Sequence, residues 1–173
     1  QVFPMPEDDF VHSRLTHSLE VSSVGRSLAK EVGKIILSNN EALRTSGIKY
    51  QDFGDVVSAA CLAHDLGNPP FGHSGEQSIS SFFLNTEQGR FFESKVEPAE
   101  WSDLINFEGN AQGFRILTNP NHGGLSLTYS TLATFTKYPL SSASKKVPAR
   151  QSQHKYGFFN DNFTYFETIA EEL

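Results

Sequence analysis

Residues 63–76, Ala63-His64-Asp65-Leu66-Gly67-Asn68-Pro69-Pro70-Phe71-Gly72-His73-Ser74-Gly75-Glu76, set two histidines, an aspartate, a glutamate and three glycines around a Pro-Pro turn. Before them, Val56, Val57, Ala59, Ala60, Cys61 and Leu62 form an apolar run, and Phe53, Val57, Ala60 and His64 recur at helical spacing. Asp52 reads as the N-cap of this helix, and Gly67 followed by Pro69 as its stop. The pattern predicts a buried helix with His64 and Asp65 in its last turn, where carbonyl dipoles favour a cation. Imidazole and carboxylate can share one metal there. A core histidine beside a capping aspartate would account for the same pair.

Two further patterns weigh against that plainer account. Upstream, His17, Val21, Val24, Leu28, Val32 and Ile35 form a single stripe of period near 3.6. A histidine heading an apolar stripe is expected to point inward, towards whatever the helix packs on. Downstream, His73 and Glu76 lie three apart at the start of a helical pattern that continues through Ile79 and Phe83, so they share a face.

His17 followed by His64-Asp65 resembles the opening of the H…HD…D signature of the HD-domain metal-dependent phosphohydrolases. The longer string HDLGNPPFGHSGE is similar to the deoxyguanosine triphosphate triphosphohydrolase (dGTPase-like) branch. RLTHSLEV at 14–21, FEGNAQGFRIL at 107–117 and LTYSTLATFTKYP at 127–139 resemble it in the same order. Residues 85–105 diverge. Many members carry a third histidine where this chain has Asn68, an amide suited to hydrogen bonding and not to moving protons. No segment here matches the family's second aspartate ligand. The chain starts at Gln1 and stops within a helical pattern at Leu173, so it is expected to be an excerpt of a longer protein. Lacking that carboxylate, it is expected to bind metal weakly by itself.

The resemblance implies an all-α fold, an HD-domain helical bundle with long loops spanning 1–173. It also implies a divalent metal (Mg, Mn or another transition metal) on His17, His64 and Asp65. His73, oriented by Glu76, would give a proton to the departing 5′-oxygen or position the nucleophile. Asn68, Asn110, Gln112, Arg115 and Lys137 are the candidate substrate contacts. The implied reaction converts a deoxynucleoside triphosphate, dGTP favoured, and water to deoxynucleoside and inorganic triphosphate, by a homo-oligomer. Another HD-type nucleotidase or phosphodiesterase, or a non-catalytic metal-bearing module, are the alternatives.

Length and composition bound the rest. At 173 residues the chain is long enough for one core. One cysteine, Cys61, rules out an internal disulfide framework. With 14 basic and 20 acidic residues and a net charge of −6, charge lends no support to single-stranded nucleic acid as a partner. No apolar run approaches a membrane span and no signal peptide is visible, so a cytoplasmic location is expected.

Along the chain, an extended entry segment at 1–12 leads to helices over about 13–37, the run ending at His64-Asp65, 74–84 and 108–118. Residues 85–106 and 139–157 read as loops or insertions, the first with a short helix near Trp101. Over 125–138 a two-residue alternation suits a strand, while Ser126 as N-cap and Pro139 as stop suit a helix; only the resemblance favours the helix. Asp161 is expected to cap a last helix whose apolar face (Phe163, Phe166, Ile169, Ala170, Leu173) is partly exposed. Lys145, Lys146, Arg150 and Lys155 make the second loop basic, a solvated stretch or a contact for triphosphate. Tyr129 and Tyr138 could stack on a base or sugar. His12, His122 and His154 read as surface residues without ligand-like partners.

Overall fold

The computed structural model describes residues 12–119, 125–144 and 155–173. His122, His154, Lys145, Lys146, Arg150 and the entry segment to residue 11 lie outside the described residues. The described chain is all-α: α1 (Arg14–Asn39), α2 (Glu41–Thr45), α3 (Tyr50–Ala63), α4 (His73–Asn85), α5 (Glu87–Arg90), α6 (Pro98–Ile105), α7 (Gly109–Thr118), α8 (Tyr129–Phe135) and α9 (Phe163–Glu171). Its one β feature among those residues is an isolated bridge between Ser141 and Phe158. No helix among them is long and apolar enough to cross a membrane. The chain divides into two compact units, Gln1–Asp65 and Leu66–Leu173.

In the first unit α1 packs along α3. Ser13 and Thr16 start α1 with a capping box: the Thr16 N–H donates to Ser13 Oγ at 3.2 Å and the Ser13 N–H to Thr16 Oγ1 at 2.8 Å. The buried face of α1 is not the expected apolar stripe. Val24, Leu28, Val32 and Ile35 are exposed, and Ser18, Ser22 and Gly33 are buried instead. The reason is close approach. Ser22 Oγ donates to the Ser58 carbonyl at 2.9 Å, and a Cβ on Gly33 would press on the Phe53 ring. Small residues at the contact let two helices come near. Asp52 is likewise not the N-cap of α3. Lys49 holds that place, and Asp52, three residues into the helix, accepts the Lys49 N–H at 2.8 Å.

The second unit holds the aromatic core. Phe114, Leu132, Phe158 and Ile169 are fully buried, and Phe158 stacks on Phe166 at 4.2 Å between ring centroids. So Phe166 and Ile169 of α9 are packed, while Phe163 and Leu173 remain exposed. Residues 85–106 are largely helical, in α5, a 3-10 turn at Phe91–Ser94 and α6, each too short to show a period in sequence. Around them Phe83 meets Trp101 and Phe92 edge-on. The ambiguous stretch at 125–138 forms α8, capped by Thr128 and not by Ser126, whose φ of 44° is far from the extended backbone of a cap. Asp161 does not cap α9 either: it lies in the 3-10 turn Asn160–Asn162 and pairs with Arg115 at 3.5 Å. Buried Asp103 collects the Asn160 and Asp161 N–H groups and the Ser142 hydroxyl, fixing that turn to α6.

Candidate functional site

In the first unit, the end of α3 and the start of α1 supply three converging side chains. His64 is the C-cap of α3 and Asp65 follows it, one step later than the sequence pattern placed them. The His17 Nε2 lies 3.8 Å from Asp65 Oδ2, and the His64 Nε2 lies 3.3 Å from Asp65 Oδ1. The two imidazoles meet edge to face, 5.1 Å between centroids. One ligand atom from each of the three residues lies within 4.8 Å of the others. Imidazole and carboxylate donors in this number suit a divalent transition metal and leave coordination positions open.

The orientation of His64 supports that fit. Its Nδ1 lies 2.7 Å from the Cys61 carbonyl, which accepts only from a protonated nitrogen. That contact fixes the tautomer with the Nε2 lone pair facing Asp65, as the outer contacts of metal-binding imidazoles do. The carbonyl belongs to the last turn of α3 and also accepts the His64 backbone N–H at 3.3 Å. Thus the helix end both orients the ligand and adds its own negative partial charge.

In the second unit, the turn at Phe71 and Gly72 delivers His73 to the first position of α4. Gly72 has φ 56° and ψ −129°, a backbone state that a Cβ disfavours. His73 Nδ1 donates to Glu76 Oε2 at 2.8 Å, and Glu76 Oε1 accepts the Gly109 N–H at 2.9 Å. The side chain of Glu76 is 12% exposed and that of His73 74%. A part-buried, twice-bonded carboxylate therefore holds an imidazole whose Nε2 faces outward, an arrangement able to give or take a proton.

Of the expected substrate contacts, Asn68 sits against Gly109, and Asn110 donates to Glu108 Oε1 at 2.6 Å. Gln112 is half-buried on α7 and Lys137 is exposed after α8. Arg115 is exposed and faces Asp161. Lys155 neither floats in a loop nor stands free: it reaches Glu108 Oε1 at 3.8 Å and the face of the Tyr138 ring. The Tyr129 ring packs edge-on to Tyr165.

Two groups escaped the sequence reading. His12 does have ligand-like neighbours, His17 and Glu20. The signal was its place one residue before the cap, which a capping box turns back over the first turn. The other is Glu108, buried at the N-cap of α7. Burial raises its pKa above the ordinary carboxylate value, reinforced by Glu76 and opposed by Asn110, Lys155 and His73. A raised carboxyl binds its proton more tightly folded than unfolded. Its contribution to stability is therefore present below the unfolded pKa and lost as pH rises through the folded one. The urea midpoint of Glu108→Gln minus that of the wild type should thus grow more positive from about pH 4.5 towards neutrality. A difference flat in pH would remove Glu108 from this account.

A family model described as HD domain matches residues 14–108. The chain is 48% identical over 182 residues to a "Deoxyguanosinetriphosphate triphosphohydrolase-like protein" of Synechocystis sp., covering 100% of this chain and 41% of that protein. A protein of the same name from Pseudomonas aeruginosa is 45% identical over 177 residues, covering 100% and 39%. A "Deoxyguanosinetriphosphate triphosphohydrolase" of Yersinia pestis is 34% identical over 201 residues, again covering 100% and 39%. The chain thus spans about two fifths of the length of the curated relatives it matches. With the HD model reaching from the helix that carries His17 through the His64-Asp65 pair to Glu108, the chain belongs to the HD-domain family.

Proposed function

We propose that this chain carries the metal ligands and the proton-handling pair of a deoxynucleoside triphosphate triphosphohydrolase, with dGTP the favoured substrate. The observation that carries the reading is the convergence of His17, His64 and Asp65 within 4.8 Å, in a chain similar throughout to proteins named for that activity. Bound to those three side chains, a divalent metal would polarise a phosphate oxygen and activate water. Two neutral ligands and one carboxylate would leave it net positive towards a polyanionic substrate.

The chain's own groups do the rest. The Cys61 carbonyl, bonded to Nδ1, keeps the His64 Nε2 lone pair aimed. His73, held through Nδ1, offers Nε2 to the departing 5′-oxygen or to the nucleophile; Glu76 keeps the ring from turning. Asn68, Asn110, Gln112, Arg115 and Lys137 are proposed as substrate contacts, Asn110 by way of Glu108 and Arg115 by exchanging Asp161 for phosphate. A homo-oligomer in the cytoplasm completes the proposal.

Product analysis tests it. Each deoxynucleoside triphosphate, incubated with the metal-loaded protein extended to the full length of its relatives, should yield deoxynucleoside and inorganic triphosphate by phosphorus NMR, dGTP fastest. Pyrophosphate or monophosphate would select another HD-type hydrolase, and no turnover a non-catalytic metal module.

A further inference from the structure

His12, His17 and Glu20 form a second group whose ligand atoms lie within 4.8 Å of one another. Its origin is local. His12 precedes the N-cap Ser13 and His17 is the fourth residue of α1, the two positions that an apolar staple ordinarily joins across a capping box. Here both are imidazoles, their centroids 5.8 Å apart. Glu20, three residues after His17, shares its face and lies 4.0 Å from His12 Nδ1. Two imidazoles and a carboxylate thus gather where two apolar side chains would serve the helix equally well. The side chains of His12 and Glu20 are 60% and 52% exposed, against 14% for His64. His12, Ser13, Arg14, His17 and Asp65 line one open cleft, so the two groups are continuous through His17.

We propose that His12, His17 and Glu20 are an outer divalent-cation position, alternative to the inner one at His17, His64 and Asp65, through which the ion enters. The proposal shares His17 with the metal site proposed above and extends it. A neutral imidazole has one nitrogen lone pair, so His17 serves one position at a time and the chain holds one ion. The ranking follows from the helix ends. Besides the shared His17, the inner group draws on the C-terminus of α3, where the dipole favours a cation; the outer lies wholly at the N-terminus of α1, where it opposes one. Exposure weakens the outer position further and opens it to solvent, as an entry point requires.

Zn2+ alone, added to the chelator-stripped protein, is the probe. The wild type should bind one equivalent by calorimetry and elemental analysis. His64→Ala should still bind one, more weakly, and His64→Ala with His12→Ala should bind none, with helical circular dichroism unchanged. In the otherwise intact protein, His12→Ala or Glu20→Gln should slow both uptake from an indicator and release to a chelator by roughly tenfold, the low end for a lost metal-site partner. The dissociation constant should not change, because a transit position alters both rates alike. If His64→Ala is folded yet binds nothing, or if His12→Ala leaves both rates unchanged, the outer position is overturned while the inner one stands. A wild type that binds no Zn2+ would overturn both, and product analysis separates that result from failure of the proposed reaction.

Discussion

His73→Ala will keep its metal and lose turnover by roughly 10²–10⁴-fold, the usual scale for removing a general acid or base. His73 belongs to neither group of potential metal ligands among the described residues. Its ring is held by the 2.8 Å bond to Glu76, itself anchored by the Gly109 N–H. Glu76→Gln should fall between His73→Ala and the wild type. A glutamine can still accept from Gly109, but its amide nitrogen can only donate to His73 Nδ1, which reverses the tautomer and removes the charge that favours a protonated ring. Asp65→Ala should do the reverse of His73→Ala and weaken metal binding itself, since it removes the only carboxylate of the inner group. Metal content by elemental analysis beside steady-state rates distinguishes the cases. Metal lost with His73 would make that residue a ligand.

Gly67→Ala will destabilise the second unit by about 3 kcal/mol, the upper end for overpacking that shifts the backbone. A Cβ on Gly67 would lie well inside van der Waals contact of the Gly109 carbonyl and the Gly113 N–H of α7. Both obstacles are backbone, so no side-chain rotation relieves the overlap. Interiors at crystal-like density have no slack for it. Because Gly109 also donates to Glu76, pushing α7 away loosens the carboxylate that holds His73. Chemical denaturation should show the lost stability. A midpoint equal to the wild type would mean that turn and helix are further apart than described.

How far the sequence could be read depended on what each signal encodes. His17, His64 and Asp65 were singled out by their resemblance to the H…HD…D signature, since the apolar stripe that His17 heads is exposed and a His-Asp pair alone suits a capped core helix as well. The start of the first helix near residue 13 was legible, although the capping box of Ser13 and Thr16 that sets it was not read. The burial of α1 was not legible. Its apolar residues have helical period, but so does the series Ser18, Ser22, Gly25, Ala29, Gly33, and periodicity alone does not say which face another helix will choose. Asp52, Ser126 and Asp161 failed as caps for a related reason: each residue type suits several places in a turn, and the neighbouring backbone decides. Glu108 and Lys155 are 47 positions apart, beyond any local pattern. The basic stretch at 145–154 lies outside the described residues.

The small-residue seam between α1 and α3 has a consequence for the metal. His17 rides on α1 and His64 on the end of α3, so the gap between them is set by how closely and in what register the two helices lie. Gly25 has no room for even a methyl group, since it would strike Cys61 Sγ. Gly25 is eight residues from His17, about 12 Å along the helix at 1.5 Å per residue. Cys61 touches the seam with its sulfur and holds His64 Nδ1 with its carbonyl. The pair of helices therefore forms a caliper with the proposed metal position between its jaws. An ion that draws the imidazoles together tightens the seam, and a side chain wedged into the seam spreads the jaws, so metal affinity gauges a fit made two turns away.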